Sequence, residues 1–145
     1  MSNPVVQDVN ALLADYTVLY QKLRNYHWNV TGPFFFGLHA QFETMYTEMA
    51  VTIDDLAERV LAAGGRPLST LREQLAVARL TEDTELPDAM GMVSNVVADL
   101  ETLNVSLREA QNRAADAGDE TTETMLQDMA NGQEKTIWMM KAFLG

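Results

Sequence analysis

Apolar residues recur along this chain at the spacing of one helix face, and polar breaks separate the repeats. Val9, Leu12, Leu13, Tyr16, Leu19, Tyr20 and Leu23 form an amphipathic stripe, which predicts a first helix over residues 4–29. Thr31-Gly32-Pro33 breaks it. A second stripe, Leu38, Phe42, Met45, Met49, Ile53, Leu56 and Val60, runs to the stop signal Gly64-Gly65-Arg66-Pro67. Thr70 with Glu73 three residues later reads as a capping box opening a short helix near 70–78. A polar connector, Thr81 to Glu85, leads to Pro87, placed as prolines are at helix starts. The third long stripe is Met92, Val93, Val96, Val97, Leu100, Leu103 and Leu107, ending near Gly118. The fourth is Leu126, Met129, Ile137, Met140 and Leu144. No segment alternates with period two for long enough to be a strand, and no internal repeat or low-complexity tract is present.

Tight connections at 30–33 and near 118 predict two antiparallel hairpins. The 64–86 connection is long enough to run the length of a bundle and carry the short helix. The fold class is therefore all-α: a ferritin-like four-helix bundle with a short extra helix in the long crossover between the second and third helices. With 145 residues, 47% of them hydrophobic, the chain fits a single domain over 1–145 with a sizeable core.

Composition narrows the chemistry. The absence of cysteine excludes disulfides, iron–sulfur clusters and thiolate zinc sites. Asp8 and Asp15 precede the first basic residue, Lys22, so the start of the chain lacks the pattern of a signal peptide. No apolar run approaches the ~20 residues of a membrane span. A formal charge of −11 favours cations and repels phosphate backbones. The expectation is an acidic cytoplasmic protein without membrane contact.

Five ligand-type residues stand out: His27, His39, Glu43, Asp54 and Glu58. Within the second helix, His39 and Glu43 are one turn apart, as are Asp54 and Glu58. Asp54 lies 15 residues beyond His39, roughly 22 Å along an α-helix. The two pairs face within about 60° of one another at ~100° per residue, yet one chain cannot bring them to one cation. Projection also turns the stripe His39, Glu43, Tyr46, Ala50, Asp54 and Glu58 roughly 130° from the apolar face, out of the bundle. An in-bundle di-metal site needs inward Glu residues and Glu-x-x-His. Neither histidine has a Glu three positions before it, so that site is absent.

The carboxylates alone fit a solvated helix face, which is where most carboxylates lie. The two histidines at one end of the hairpin, Tyr46 and Ala50 within the polar face, and Trp28 beside His27 fit a packed subunit contact instead. Two antiparallel copies of the second helix about a two-fold axis bring His39/Glu43 of one chain to Asp54/Glu58 of the other, and such a contact makes each site twice. Two imidazoles with three carboxylates suit a first-row metal: Fe(II), with Zn(II) or Mn(II) also accommodated.

His27-Trp28-Asn29, His39 twelve residues on, Ile53-Asp54-Asp55-Leu56-Ala57-Glu58-Arg59 closed by Gly64-Gly65, and Ile137-Trp138-Met139-Met140-Lys141-Ala142-Phe143-Leu144 resemble the signature of the Dps family of mini-ferritins. The resemblance spans nearly the whole chain. It implies a hollow dodecamer that oxidises Fe(II), with hydrogen peroxide or dioxygen as oxidant, and stores ferric mineral inside. It also implies that His27 and His39 are ligands from one subunit and Asp54 and Glu58 from its partner. Glu43 stands where the family commonly has Asp, one methylene shorter. In the family a tryptophan at the position of Trp28 intercepts oxidising equivalents; interface packing is the other role open to it.

Asp116, Asp119, Glu120, Glu123 and Asp128 cluster between the third and fourth helices. First-turn carboxylates are favoured by the helix dipole, and Asp119 is placed to be an N-cap. The resemblance implies an iron channel here, with Asp119, Glu123 and Asp128 as its candidates. DNA binding, common in the family through basic tails, is expected to be weak or absent: residues 1–21 carry no Lys or Arg and the C-terminus offers only Lys141. A gel shift at low salt without added metal tests this. The competing function is an acidic helical shell, nucleoid-associated or surface-binding, without redox activity. The Met stripe (Met45, Met49, Met129, Met140) reads as core packing rather than a copper site.

Overall fold

The computed structural model describes residues 3–145; residues 1 and 2 of the expected domain lie outside them. It is all-helical: α1 Pro4–Asn29, α2 Phe35–Ala62, α3 Leu71–Val77, α4 Ala89–Asp116 and α5 Glu120–Leu144, with no strand among the described residues. The helices fall where the apolar periods and the Gly/Pro breaks place them, and the topology is the ferritin-like bundle with one crossover.

Several boundaries have a local cause. Asn3 caps α1 by accepting the Val5 N–H at 2.9 Å, with Pro4 behind it. Gly64, at φ +86, lets the chain leave α2 in the left-handed region while the Gly65 N–H closes on the Val60 carbonyl. At α3, Thr70 Oγ1 accepts the Glu73 N–H, and Glu73 reaches back to the Ser69 N–H, one residue earlier than an ideal capping box. Asp88 caps α4 and Asp119 caps α5.

α1 packs on α2 and α4 on α5, with α1 bridging to α4 and α3. Leu12, Leu19, Leu23 and Tyr26 of α1, Phe42 and Leu56 of α2, Val96, Leu103 and Leu107 of α4, and Leu126 of α5 are fully enclosed. Each such side chain contributes roughly 1.5–3 kcal/mol relative to exposure. A chain of uncharged polar groups crosses the same interior: Tyr16 OH donates to Gln133, whose amide donates to Asn104.

The crossover is tied to α1 at three heights. Asn10 bonds the backbone at Arg66 and Leu68. Asp15 bonds Arg79 and the Leu80 N–H. Tyr26 OH and the Asn25 amide both bond Asp83. These ties hold the long connection along the α1 side, away from the outer face of α2. No helix among the described residues is long and apolar enough to cross a membrane.

Candidate metal centre

His27 is on the last turn of α1 and His39 on the second turn of α2, so the tight 30–34 connection brings together two residues twelve apart in sequence. Nδ1 of His27 lies 2.7 Å from the His39 carbonyl oxygen, and Nδ1 of His39 lies 2.7 Å from the His27 carbonyl oxygen. A carbonyl only accepts, so both Nδ1 atoms carry a proton, and in the neutral rings both Nε2 atoms keep a free electron pair. The rings stack with centroids 3.8 Å apart and 13° between planes. This is a prepared pair of nitrogen donors, each oriented by a backbone carbonyl, as metal-ligating histidines are.

Around the pair, Phe35 stacks on the free face of His39 at 4.9 Å and Tyr46 meets His27 edge-on at 5.3 Å. Glu43 reaches His27 Nε2 at 3.6 Å, not the His39 one turn before it. Spacing along the second helix pairs Glu43 with His39; the side chain instead leans across the hairpin to α1. His27 itself is buried, because the His39 ring and Tyr46 cover it, whereas Glu43, Asp54 and Glu58 are exposed.

Asp54 and Glu58 lie at the far end of α2 and are joined by Asp55, with ligand atoms of all three within 4.8 Å of one another. The Asp54 carboxylate, through a hydrogen bond and its charge, pushes the Glu58 carboxyl above its ordinary value. Among the described residues no basic side chain pairs with these three. The structure thus collects the candidate ligands into two groups on one helix, nitrogen-rich at one end and carboxylate-rich at the other, and does not bring the two groups together within the chain.

Asp55 and Phe35 were not singled out by the sequence pattern. Asp55 was signalled by its i, i+3 relation to Glu58, and Phe35 by its i, i+4 relation to His39. Trp28 is 56% exposed, with the Arg24 guanidinium 4.9 Å over its ring. That is a large apolar surface left open, beside a groove shared with Lys22, Asn25 and Asp83.

Asp119, Glu123 and Asp128 have separate surroundings. Asp119 accepts the Thr122 N–H and hydroxyl. Burial raises its pKa, but those bonds and the charge of Arg59 outweigh burial and hold it below its usual value. Glu123 occupies the first turn of α5. Asp128 is exposed on the wall of a groove of about 410 Å³ between α2 and α5. The helix cap accounts for Asp119 without a pore.

A family model described as "Ferritin-like domain" matches residues 6–145. General stress protein 20U of Bacillus subtilis (strain 168) is 44% identical over 145 residues, covering 100% of both chains. The DNA protection during starvation protein of Brevibacillus brevis is 48% identical, covering 94% of this chain and 91% of its own. The crystal structure of a Dps protein from Vibrio cholerae O1, described as a member of a superfamily of ferritin-like diiron-carboxylate proteins, superposes with a TM-score of 0.95 at 37% identity, covering 98% of this chain and 89% of its own.

Proposed function

We infer that this chain, which belongs to the ferritin-like domain family and to its Dps branch, is a ferroxidase that oxidises Fe(II) at sites shared between two subunits. Membership supports iron storage and protection against oxidative stress. The finer reading is carried by one observation: two histidines with free Nε2 atoms stand at one end of α2 and the crowded carboxylates Asp54, Asp55 and Glu58 at the other. Asp54 follows His39 by 15 residues, roughly 22 Å. Two copies of α2 packed antiparallel superpose the nitrogen end of one on the carboxylate end of the other, and the two-fold makes the site twice.

In this reading His27 and His39 bind iron from one subunit, and Asp54 and Glu58 from its partner. Glu43, 3.6 Å from His27 Nε2, is a third carboxylate within reach. Trp28 and Tyr46 pack at the subunit contact, where Trp28 also intercepts oxidising equivalents. Iron is the substrate here; Zn(II) or Mn(II) can take the same donors. Two ferrous ions each lose one electron to hydrogen peroxide, which takes two electrons and two protons and leaves as two waters; dioxygen is the alternative oxidant. The carboxylates offset the cation's charge, and the Nδ1-anchored imidazoles hold their donor atoms without reorganisation. The ferric product is stored inside a homo-oligomeric shell, a dodecamer of one ferritin-like domain over residues 1–145. Acidic residues including Asp119, Glu123 and Asp128 line the channel by which iron enters.

In this reading the protein works in the cytoplasm and binds DNA weakly or not at all, because a chain of formal charge −11 with no Lys or Arg in residues 1–21 repels phosphate backbones. Replacing His27 and His39 together by Gly tests the reading. Peroxide-driven Fe(II) oxidation is expected to fall more than the ~10–100-fold that follows loss of a mere supporting partner, with the assembly intact. An intact assembly with an unchanged rate favours the competing reading, a redox-silent acidic shell.

A further inference from the structure

We propose that Phe35 is a positioning residue of this centre: its ring, stacked on His39, holds that imidazole's Nε2 toward the cation and stabilises the imidazole once a cation is bound. The inference rests on the reading of His27 and His39 as ligands. Phe35 opens α2 one turn before His39, at the i, i+4 spacing that sets one side chain over another. The two rings are 4.9 Å apart at 20°, and the other face of His39 lies on His27 at 3.8 Å and 13°. His39 is therefore held between two flat rings.

The hydrogen bond from His39 Nδ1 to the His27 carbonyl fixes one atom of the ring and leaves the ring free to swing about it. Stacking on both faces removes that swing. When Nε2 shares its electron pair with a divalent cation, positive charge spreads into the imidazole. The face of an aromatic ring attracts such charge, so Phe35 favours the loaded state over the empty one. Phe35 has no polar side-chain atom, and acts only through His39. His27 has its own support in Tyr46, edge-on at 5.3 Å.

Co(II) binding to the assembled protein, followed by its visible absorption, tests this with F35Y, F35L, F35A and H39G. F35Y keeps the flat face and is expected within about twofold of the natural affinity, whereas F35L, of similar bulk but no ring, loses about 10-fold, the scale of a lost supporting partner. The F35A affinity falls at least as far. If F35A does not assemble, the contrast of F35Y with F35L still decides. Cobalt binding by F35L as tight as the natural protein overturns the role of Phe35, provided H39G abolishes it. Unchanged binding by H39G overturns instead the reading of the centre on which the role rests.

Discussion

Asp15, on α1 beneath the crossover, and Asp54, on the outer face of α2, are the same side chain in opposite surroundings. Asp15 is 1% exposed and receives the Arg79 and Leu80 N–H groups at 2.6 and 3.1 Å, with Arg79 Nε and Nη2 at 2.8 and 2.7 Å. Asp54 is exposed, crowded by Asp55 and Glu58, and lacks a basic partner among the described residues. Burial makes an unpaired carboxylate costly, so the inner one is fully matched with donors and fastens the crossover. Solvent tolerates the outer group in the monomer, and its concentrated negative potential is free to attract a cation. One acidic sequence thus contains carboxylates that hold the fold and others that, in the proposed function, hold a substrate.

That division is broken most forcefully at Asp15. D15A strands the Arg79 guanidinium and two backbone N–H groups, and is expected to cost about 3 kcal/mol, the low end for a broken buried pair because Arg79 is partly exposed. Urea unfolding measures it. D54N gives the mirror image: unfolding stability stays level or rises slightly as repulsion with Glu58 is relieved, while iron oxidation slows. A large loss of stability in D54N, or a small one in D15A, contradicts the division.

Asp119 sharpens it at the smallest scale. Its pKa is depressed in the folded chain, so its contribution is present above the unfolded value of about 3.9 and is lost as pH falls through the folded one. Asn also caps helices, so D119N keeps the cap and removes the charge. The stability difference between natural protein and variant is expected to shrink as pH falls below about 4. A constant difference shows that the charge of Asp119 adds nothing to its capping.

The helices were legible because their causes are local. Apolar period, Asn3-Pro4, Thr31-Gly32-Pro33, Gly64-Gly65 and Asp119 each act within a turn or two of the boundary they set, and α1 begins and ends where the pattern places it. The pattern places the short helix near 70–78, and it spans Leu71–Val77 with Thr70 and Ala78 as its caps. The His27–His39 neighbourhood was legible once the hairpin was.

What stayed hidden depends on side-chain direction or on distant pairing. The lean of Glu43 toward His27 follows from how α1 and α2 pack, which residue spacing on α2 does not encode. Burial of His27 arises from a ring on the neighbouring helix. The Asp15–Arg79 and Tyr26–Asp83 ties join residues 64 and 57 apart in sequence, and no local pattern marks them.

The central claim, a site completed by two chains, is tested most directly by mixing two inactive variants. One chain carries H27G/H39G and the other D54N/E58Q; each alone forms only dead sites. Refolded together at equal amounts, half the two-fold contacts are mixed and each mixed contact holds one intact site, so about one quarter of the natural ferroxidase activity returns. No recovery from verified mixed assemblies contradicts a shared site.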